Sequence, residues 1–275
     1  MRIEKYNFTH PEYPSRLAVK HTWLADILYS VEHDCYLSDE ELAKIFMIPH
    51  EELRNDLEQI LLYETGQTCG EISEERWNGA VNSVLLHCVV LLGELGNAVS
   101  LPVILLTLCQ NVDFYEYHCG DIAGEIYIPT LYLLGKDHFD VLMRYMQTPG
   151  LYAFARINVV EAVALTGMLY PERRSEVIEW FRSLLVFYDG KLENCLCCDG
   201  GLIGMMTNSL IDLHAKELLP ELKRLYDTQL VDEMCCGNFE EVVCEMNCSS
   251  ALKDNRYHFN LHDRYAEFKR FKQSW

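Results

Sequence analysis

Leu92-Gly93-Glu94-Leu95-Gly96-Asn97-Ala98-Val99-Ser100-Leu101-Pro102-Val103-Ile104 returns downstream as Leu210-Ile211-Asp212-Leu213-His214-Ala215-Lys216-Glu217-Leu218-Leu219-Pro220-Glu221-Leu222. Leu92 and Leu210 stand 118 positions apart. Leu95 and Leu213, Leu101 and Leu219, Pro102 and Pro220, Ile104 and Leu222, and Leu108 and Tyr226 keep the same offset without a gap. In both copies a helix-period apolar run ends at a polar turn, and a Leu-Pro step opens a second run. Stacked helical hairpins carry this mark, since none can bury its apolar face without a neighbour.

The rest of the chain has the same character. Apolar residues return at steps of three and four, and sustained alternation is absent, so the reading is all-α, a HEAT-like α-solenoid. A first amphipathic helix is expected over Ser15 to Ser30. Ser38 with Glu41 looks like a capping box ahead of Leu42, Ile45 and Phe46. Pro49 opens a helix with Leu53, Leu57, Ile60 and Leu61 on one face. The repeats start near Trp77 with a hairpin from Asn78 to Cys109. A second spans Ile122 to Met146, turning at Gly135-Lys136-Asp137. A third runs from Ala155 to Leu184, with Gly167 to Pro171 as its turn, and a fourth from Leu202 to Tyr226. The organisation read from this is an N-terminal helical cap over 1–76, repeats over 77–248, and a C-terminal basic and aromatic helix over 249–275, joined as one continuous unit.

Composition narrows the function. Asp and Glu number 42 against 23 Lys and Arg, a formal charge of −19. Such a chain repels phosphate backbones, which argues against nucleic acid as a partner. The apolar run Val84 to Leu92 is too short to span a bilayer, and Met1 to Tyr6 carries no signal-peptide core, so the expectation is a cytoplasmic protein without a membrane partner. Twelve cysteines are then expected to stay reduced. The tail from Lys253 to Trp275 changes sign, with six Lys/Arg against three Asp/Glu. Tyr265, Phe268, Phe271 and Trp275 form one stripe on it, suited to an intramolecular cap or to an arm for a partner.

Cys119-Gly120-Asp121-Ile122-Ala123-Gly124-Glu125 with Ile128-Pro129-Thr130-Leu131, Tyr152-Ala153-Phe154-Ala155-Arg156 with Ala162 to Gly167, and Glu217 to Leu222 with Leu230-Val231-Asp232 together resemble an uncharacterised bacterial family of HEAT-like proteins, domain of unknown function 1186. The resemblance covers roughly Leu37 to Glu241. It implies an all-helical superhelix and carries over no catalytic residue. Some members end in a cysteine-rich zinc motif, whereas this chain ends in basic and aromatic residues.

Three constellations are candidates for chemistry. The loop Asp113 to Glu125 gathers Tyr115, His118, Cys119, Asp121 and Glu125, and a Cys-His pair can supply a nucleophile and its base. Asp121 also reads as the N-cap of the next helix. The late cysteines form the second constellation. Cys195, Cys197, Cys235 and Cys236 would be the first zinc ligands to test, although their spacing lacks two Cys-x-x-Cys knuckles, and buried thiols in helix interfaces are the alternative. Third, Arg156 stands among apolar residues and is expected to pair with an acid such as Asp121 or Glu125. Glu176, Glu179 and Arg182, with Glu221, Lys223 and Arg224, are expected on a concave face. No Gly-rich phosphate loop, Gly-x-Ser-x-Gly or His-Glu-x-x-His occurs. The leading reading is a non-enzymatic scaffold for a protein or peptide partner, needing no cofactor. The alternative is a metal protein or enzyme using the 113–125 loop or the late cysteines.

Overall fold

The computed structural model describes residues 13–30, 34–77, 83–194, 197–248 and 257–273. Among them the protein is all-α, with no strand. In chain order the helices are α1 Thr22–Leu28, α2 Asp39–Ile45, α3 His50–Thr68, α4 Glu74–Trp77, α5 Val84–Leu95, α6 Leu101–Thr107, α7 Val112–His118 and α8 Ala123–Gly135. They continue with α9 Phe139–Gln147, α10 Ala153–Leu169, α11 Arg174–Tyr188, α12 Gly200–Asp212, α13 Leu219–Tyr226, α14 Phe239–Asn247 and α15 Leu261–Gln273. No single helix among the described residues is long and apolar enough to cross a membrane.

The 118-residue offset of the sequence also holds for several backbone landmarks. Gly96, the C-cap of α5, and His214, one residue past the C-cap of α12, lie in the left-handed region at φ 66° and φ 50°. A 3-10 turn follows at Ala98–Ser100 and at Lys216–Leu218. α6 and α13 then start at Leu101 and Leu219, and Pro102 and Pro220 lie in the first turn, where no amide hydrogen is needed. Every one of these landmarks keeps the same offset. The third hairpin repeats the device with the 3-10 turn Pro171–Arg173 between α10 and α11.

The chain divides into two compact units, residues 1–134 with 257–275, and residues 135–256. In the first, α3 packs on α5 and α6, and α15 packs on α5. Val84 through Gly93 are all buried, so α5 is apolar on every side because every side is covered. The tail is part of this unit. Tyr265 and Phe268 are buried, and the Tyr265 hydroxyl lies 3.0 Å from His87 Nδ1. Arg264 of α15 is buried too. Pro129 sits inside α8, where its missing amide hydrogen frees the carbonyl four residues back, that of Glu125. Arg264 Nη2 donates to Glu125 O at 3.4 Å, Ile126 O at 2.8 Å and Thr130 Oγ1 at 3.0 Å. A guanidinium from the far end of the chain thus satisfies the break that proline makes. Burial lowers the pKa of Arg264 to about 10.

In the second unit α10 packs on α12 and α12 on α14, while α9 packs on α11 and α11 on α13. Leu210, Leu218, Leu222 and Leu225 are fully buried between these helices. Gly167, expected in a turn, lies inside α10 and faces Leu213 and Val177 at a separation that leaves no room for a methyl group.

Two further local readings change. Residues 13–20 are not helical, and α1 begins only at Thr22. Asp56 of α3 takes the backbone N–H groups of Lys20 and His21, which holds the chain ahead of α1 where the apolar spacing alone suggested a helix. Conversely, the stretch 110–121, expected to be irregular, contains α7. Asn111 caps it by accepting from Phe114 N at 2.8 Å.

Candidate functional site

A surface concavity lies in the second unit. Residues 227–238 leave α13, cross α12 and enter α14. α12 receives them on a stripe of small residues four apart, Gly200, Gly204 and Asn208. A methyl group on Gly200 would sit 2.0 Å from Leu230 O, and one on Gly204 would sit 2.6 Å from Asp232 O and 2.8 Å from Cys235 Cβ. The absence of Cβ atoms is what lets the loop backbone reach the helix. Asp232 N donates to Gly200 O at 3.1 Å, and Asn208 Nδ2 donates to Cys235 O at 2.7 Å. Asp199 caps the near end of α12 through Leu202 N, and Asn238 with Glu241 forms a capping box on α14.

Between this loop and α13–α14 opens a cleft of about 650 Å³, lined in part by Tyr226, Val231, Asp232, Glu233, Met234 and Glu241. Three carboxylates make it acidic. Met234, at 95% exposure, stands at its edge with no protein covering it. Tyr226 is held by Cys236, whose Sγ lies 2.8 Å from the phenol oxygen. Burial pushes the Tyr226 phenol, and the Cys235 and Cys236 thiols, above their ordinary values. These groups are therefore neutral at physiological pH. The cleft offers carboxylates, a phenol and a thioether, which suits contact with a basic and apolar surface rather than nucleophilic chemistry.

The 113–125 constellation does not form an open site. Tyr115, His118 and Cys119 are buried. Thr68 Oγ1 gives its one proton to Glu64 O, so it accepts from His118 Nε2 at 2.9 Å. The His118 ring lies against Phe114 and Tyr117. Burial pushes the Cys119 thiol up to about 12, which removes the thiolate that a nucleophile requires. Asp121 is exposed in a 3-10 turn whose N-cap position is Cys119, so Asp121 is not the cap expected of it. Glu125 lies in the first turn of α8 and contributes its carbonyl to Arg264.

Among the described residues Arg156 pairs with no acid. At 1% exposure it is the bulkiest fully buried side chain among the described residues. Its guanidinium donates to the carbonyls of Met146 at 2.6 Å, Thr148 and Cys197, and to the Tyr188 hydroxyl at 3.1 Å. Carbonyl oxygens left over where helix α9 ends satisfy the cation, so Arg156 ties two turns of the backbone together.

Glu176, Glu179 and Arg182 are engaged with one another's neighbours. Glu176 pairs with Arg173 at 2.9 Å and Glu179 with Arg182 at 3.2 Å, while Arg182 reaches Glu221 of α13 at 2.7 Å. Arg174 with Glu217, and Arg224 with Asp189, continue the ladder, and Lys223 joins Asp227. The Arg174 guanidinium holds the Glu217 carboxyl below the usual carboxylate range. The pairs of Arg174, Arg182 and Arg224 bridge successive helices, while Glu176 and Glu179 pair locally and remain exposed.

Of the proposed zinc ligands, Cys195 lies outside the described residues. Among the described ones, no three His, Cys, Asp or Glu side chains converge as a metal site would require. The loop over α12 was missed in the sequence because its signal is the four-residue spacing of Gly200, Gly204 and Asn208, which reads as an ordinary weak helix until the loop is seen lying on it.

No protein-family model, curated protein or solved structure matches the chain.

Proposed function

We propose that this chain is a non-enzymatic helical-repeat scaffold of the HEAT-like α-solenoid kind that binds a protein or peptide partner through the cleft beside residues 229–238. Met234 carries the reading. A methionine at 95% exposure on the rim of an acidic cleft is a large apolar group left to solvent where a mobile loop tip would ordinarily be polar. The recurring helix, 3-10 turn and helix, and the two runs of helix contacts through α10–α12–α14 and α9–α11–α13, support the repeat architecture. Kinship with the family of unknown function, a bacterial source and a cytoplasmic setting belong to the same proposal. The burial of Cys119 and His118 supports binding over catalysis.

The test compares the wild-type chain with Met234→Glu as baits in a bacterial lysate. So exposed a side chain contributes little to stability, so both baits are folded. The reading expects a small set of partners on the wild type that the variant loses. Identical capture by both baits would refute a role for the cleft.

A further inference from the structure

The first unit holds a second surface, already occupied. Residues 13–20 lie along α3 in an irregular path that bends at 15–16, held at both ends. At one end, Asp56 is buried and accepts Lys20 N at 2.8 Å, His21 N at 3.0 Å and His21 Nδ1 at 2.8 Å. At the other end Tyr13 lies over Gly66, where a methyl group would come within 2.5 Å of Tyr13 Cβ. Asp56 and Gly66 are ten residues apart on α3, or about 15 Å at 1.5 Å per residue. The segment therefore runs antiparallel to the helix, with Tyr13 at Gly66 and Lys20 at Asp56.

Between its ends the segment alternates half-buried and exposed residues. Tyr13, Leu17 and Val19 are half-buried, while Ser15, Arg16, Ala18 and Lys20 are exposed. Lys20 Nζ pairs with Glu52 of α3 at 2.6 Å. Gln110 completes the far end. Its Nε2 donates to Leu106 O at 2.8 Å and approaches the Tyr13 hydroxyl at 2.9 Å. Its Oε1 is buried and has no hydrogen-bond partner among the described residues. A buried carbonyl acceptor without a donor is costly, having lost water and gained nothing. The resident segment leaves that acceptor unsatisfied at the place where it docks.

We propose that the track formed by Asp56 and Gly66 of α3 with Gln110 is a docking site for a peptide segment, and that residues 13–20 are its resident, displaceable occupant. The partner it fits is a segment with an aromatic ring at Gly66 and aliphatic residues four and six positions on. A basic residue at the seventh position would meet Glu52, with backbone N–H groups there for Asp56. A hydrogen-bond donor on the aromatic end would satisfy Gln110 Oε1, which the resident segment does not. This deepens the peptide-binding reading, but it concerns a different unit from the cleft.

A fluorescent peptide of residues 13–21, Tyr-Pro-Ser-Arg-Leu-Ala-Val-Lys-His, titrated against the full chain tests it. A resident occupant lowers apparent affinity by the fraction of time the site is free. Tyr13→Ala should release the resident segment, seen as faster amide exchange at residues 14–20, and bind the peptide at least about tenfold tighter than wild type. Adding Gly66→Leu should abolish that binding, and the milder Gly66→Ala should weaken it if the leucine variant fails to fold. A scrambled peptide should not bind. Unchanged exchange at 14–20 in Tyr13→Ala, or released exchange without peptide binding, would overturn the proposal. Since the cleft is probed by Met234→Glu and this track by Tyr13→Ala, failure of one leaves the other standing.

Discussion

Gly204→Ala sets two physical effects of opposite sign against each other. Glycine inside a helix is worse than alanine by about 1 kcal/mol, so propensity alone predicts a more stable protein. The structure predicts the reverse. The new methyl group would lie 2.6 Å from Asp232 O and 2.8 Å from Cys235 Cβ, and the first contact is with backbone, which has no rotamer to escape into. If the loop stays, overpacking costs about 1–3 kcal/mol. If it lifts, the bonds from Asp232 N to Gly200 O and from Asn208 Nδ2 to Cys235 O are lost, at about 1 kcal/mol each, along with the burial of Val231. Either route outweighs the propensity gain, and the net loss is about 1–2 kcal/mol. For a domain of this size that lowers the melting temperature by roughly 2–6 °C. Gly201→Ala is the control, since its methyl group would meet nothing nearer than Asp199 Oδ1 at 3.5 Å. Scanning calorimetry on the three proteins decides. A Gly204→Ala protein that melts above wild type would mean that the loop does not rest on α12.

Arg156→Met should cost at least about 3 kcal/mol in urea unfolding, because it strands the Met146, Thr148 and Cys197 carbonyls in the interior. Arg156→Lys should recover only part of that, lacking the forked donors. Cys119, with its thiol pushed up to about 12, should resist a thiol reagent at pH 8 that labels exposed Cys244 and Cys248 within minutes. The same shift carries a sign for stability. The unfolded thiol ionises near its ordinary value of about 8.5 and the folded one does not. The contribution is complete below that value and lost as pH rises toward 12, and buried Cys88 and Tyr265 act in the same direction. Unfolding midpoints followed from pH 8 to 11 should therefore fall. Truncation after Asn255 should lower the melting temperature by several degrees, since it uncovers α5 and removes Arg264 from α8. An unchanged melting temperature would show that α15 contributes nothing to the first unit.

The helices were legible in the sequence wherever a local rule governs them. Ser38 and Glu41 form the expected capping box, and Leu53, Leu57, Ile60 and Leu61 are buried as their spacing requires. The 118-residue offset extends to the left-handed residues and the 3-10 turns, since one hairpin geometry demands the same backbone twice. What escaped depends on contacts far apart in the chain. The apolar spacing over 15–30 suggested a helix because the capture of two backbone amides by Asp56 is invisible without tertiary structure. Asp121 was a plausible cap, but the turn begins at Cys119. Arg156 was expected to seek a carboxylate, and helix ends supplied carbonyls, which every sequence contains and none advertises. Glu176, Glu179 and Arg182 stand on α11, where the two glutamates pair with arginines three positions away and Arg182 also reaches Glu221 of α13.

The joining of Arg264 to the carbonyls around Pro129 has a consequence for biosynthesis. The first unit is assembled from two stretches separated by all of the second. A ribosome adding about 5–20 residues per second takes on the order of 10 s to pass from α8 to α15. Throughout that interval the side of α5 that receives Tyr265 and Phe268 is without its cover, and the carbonyls at Pro129 are without their donor. The second unit, being contiguous, has no such wait. The nascent chain therefore completes its middle before its beginning, and the exposed flank of α5 is where a chaperone would find it.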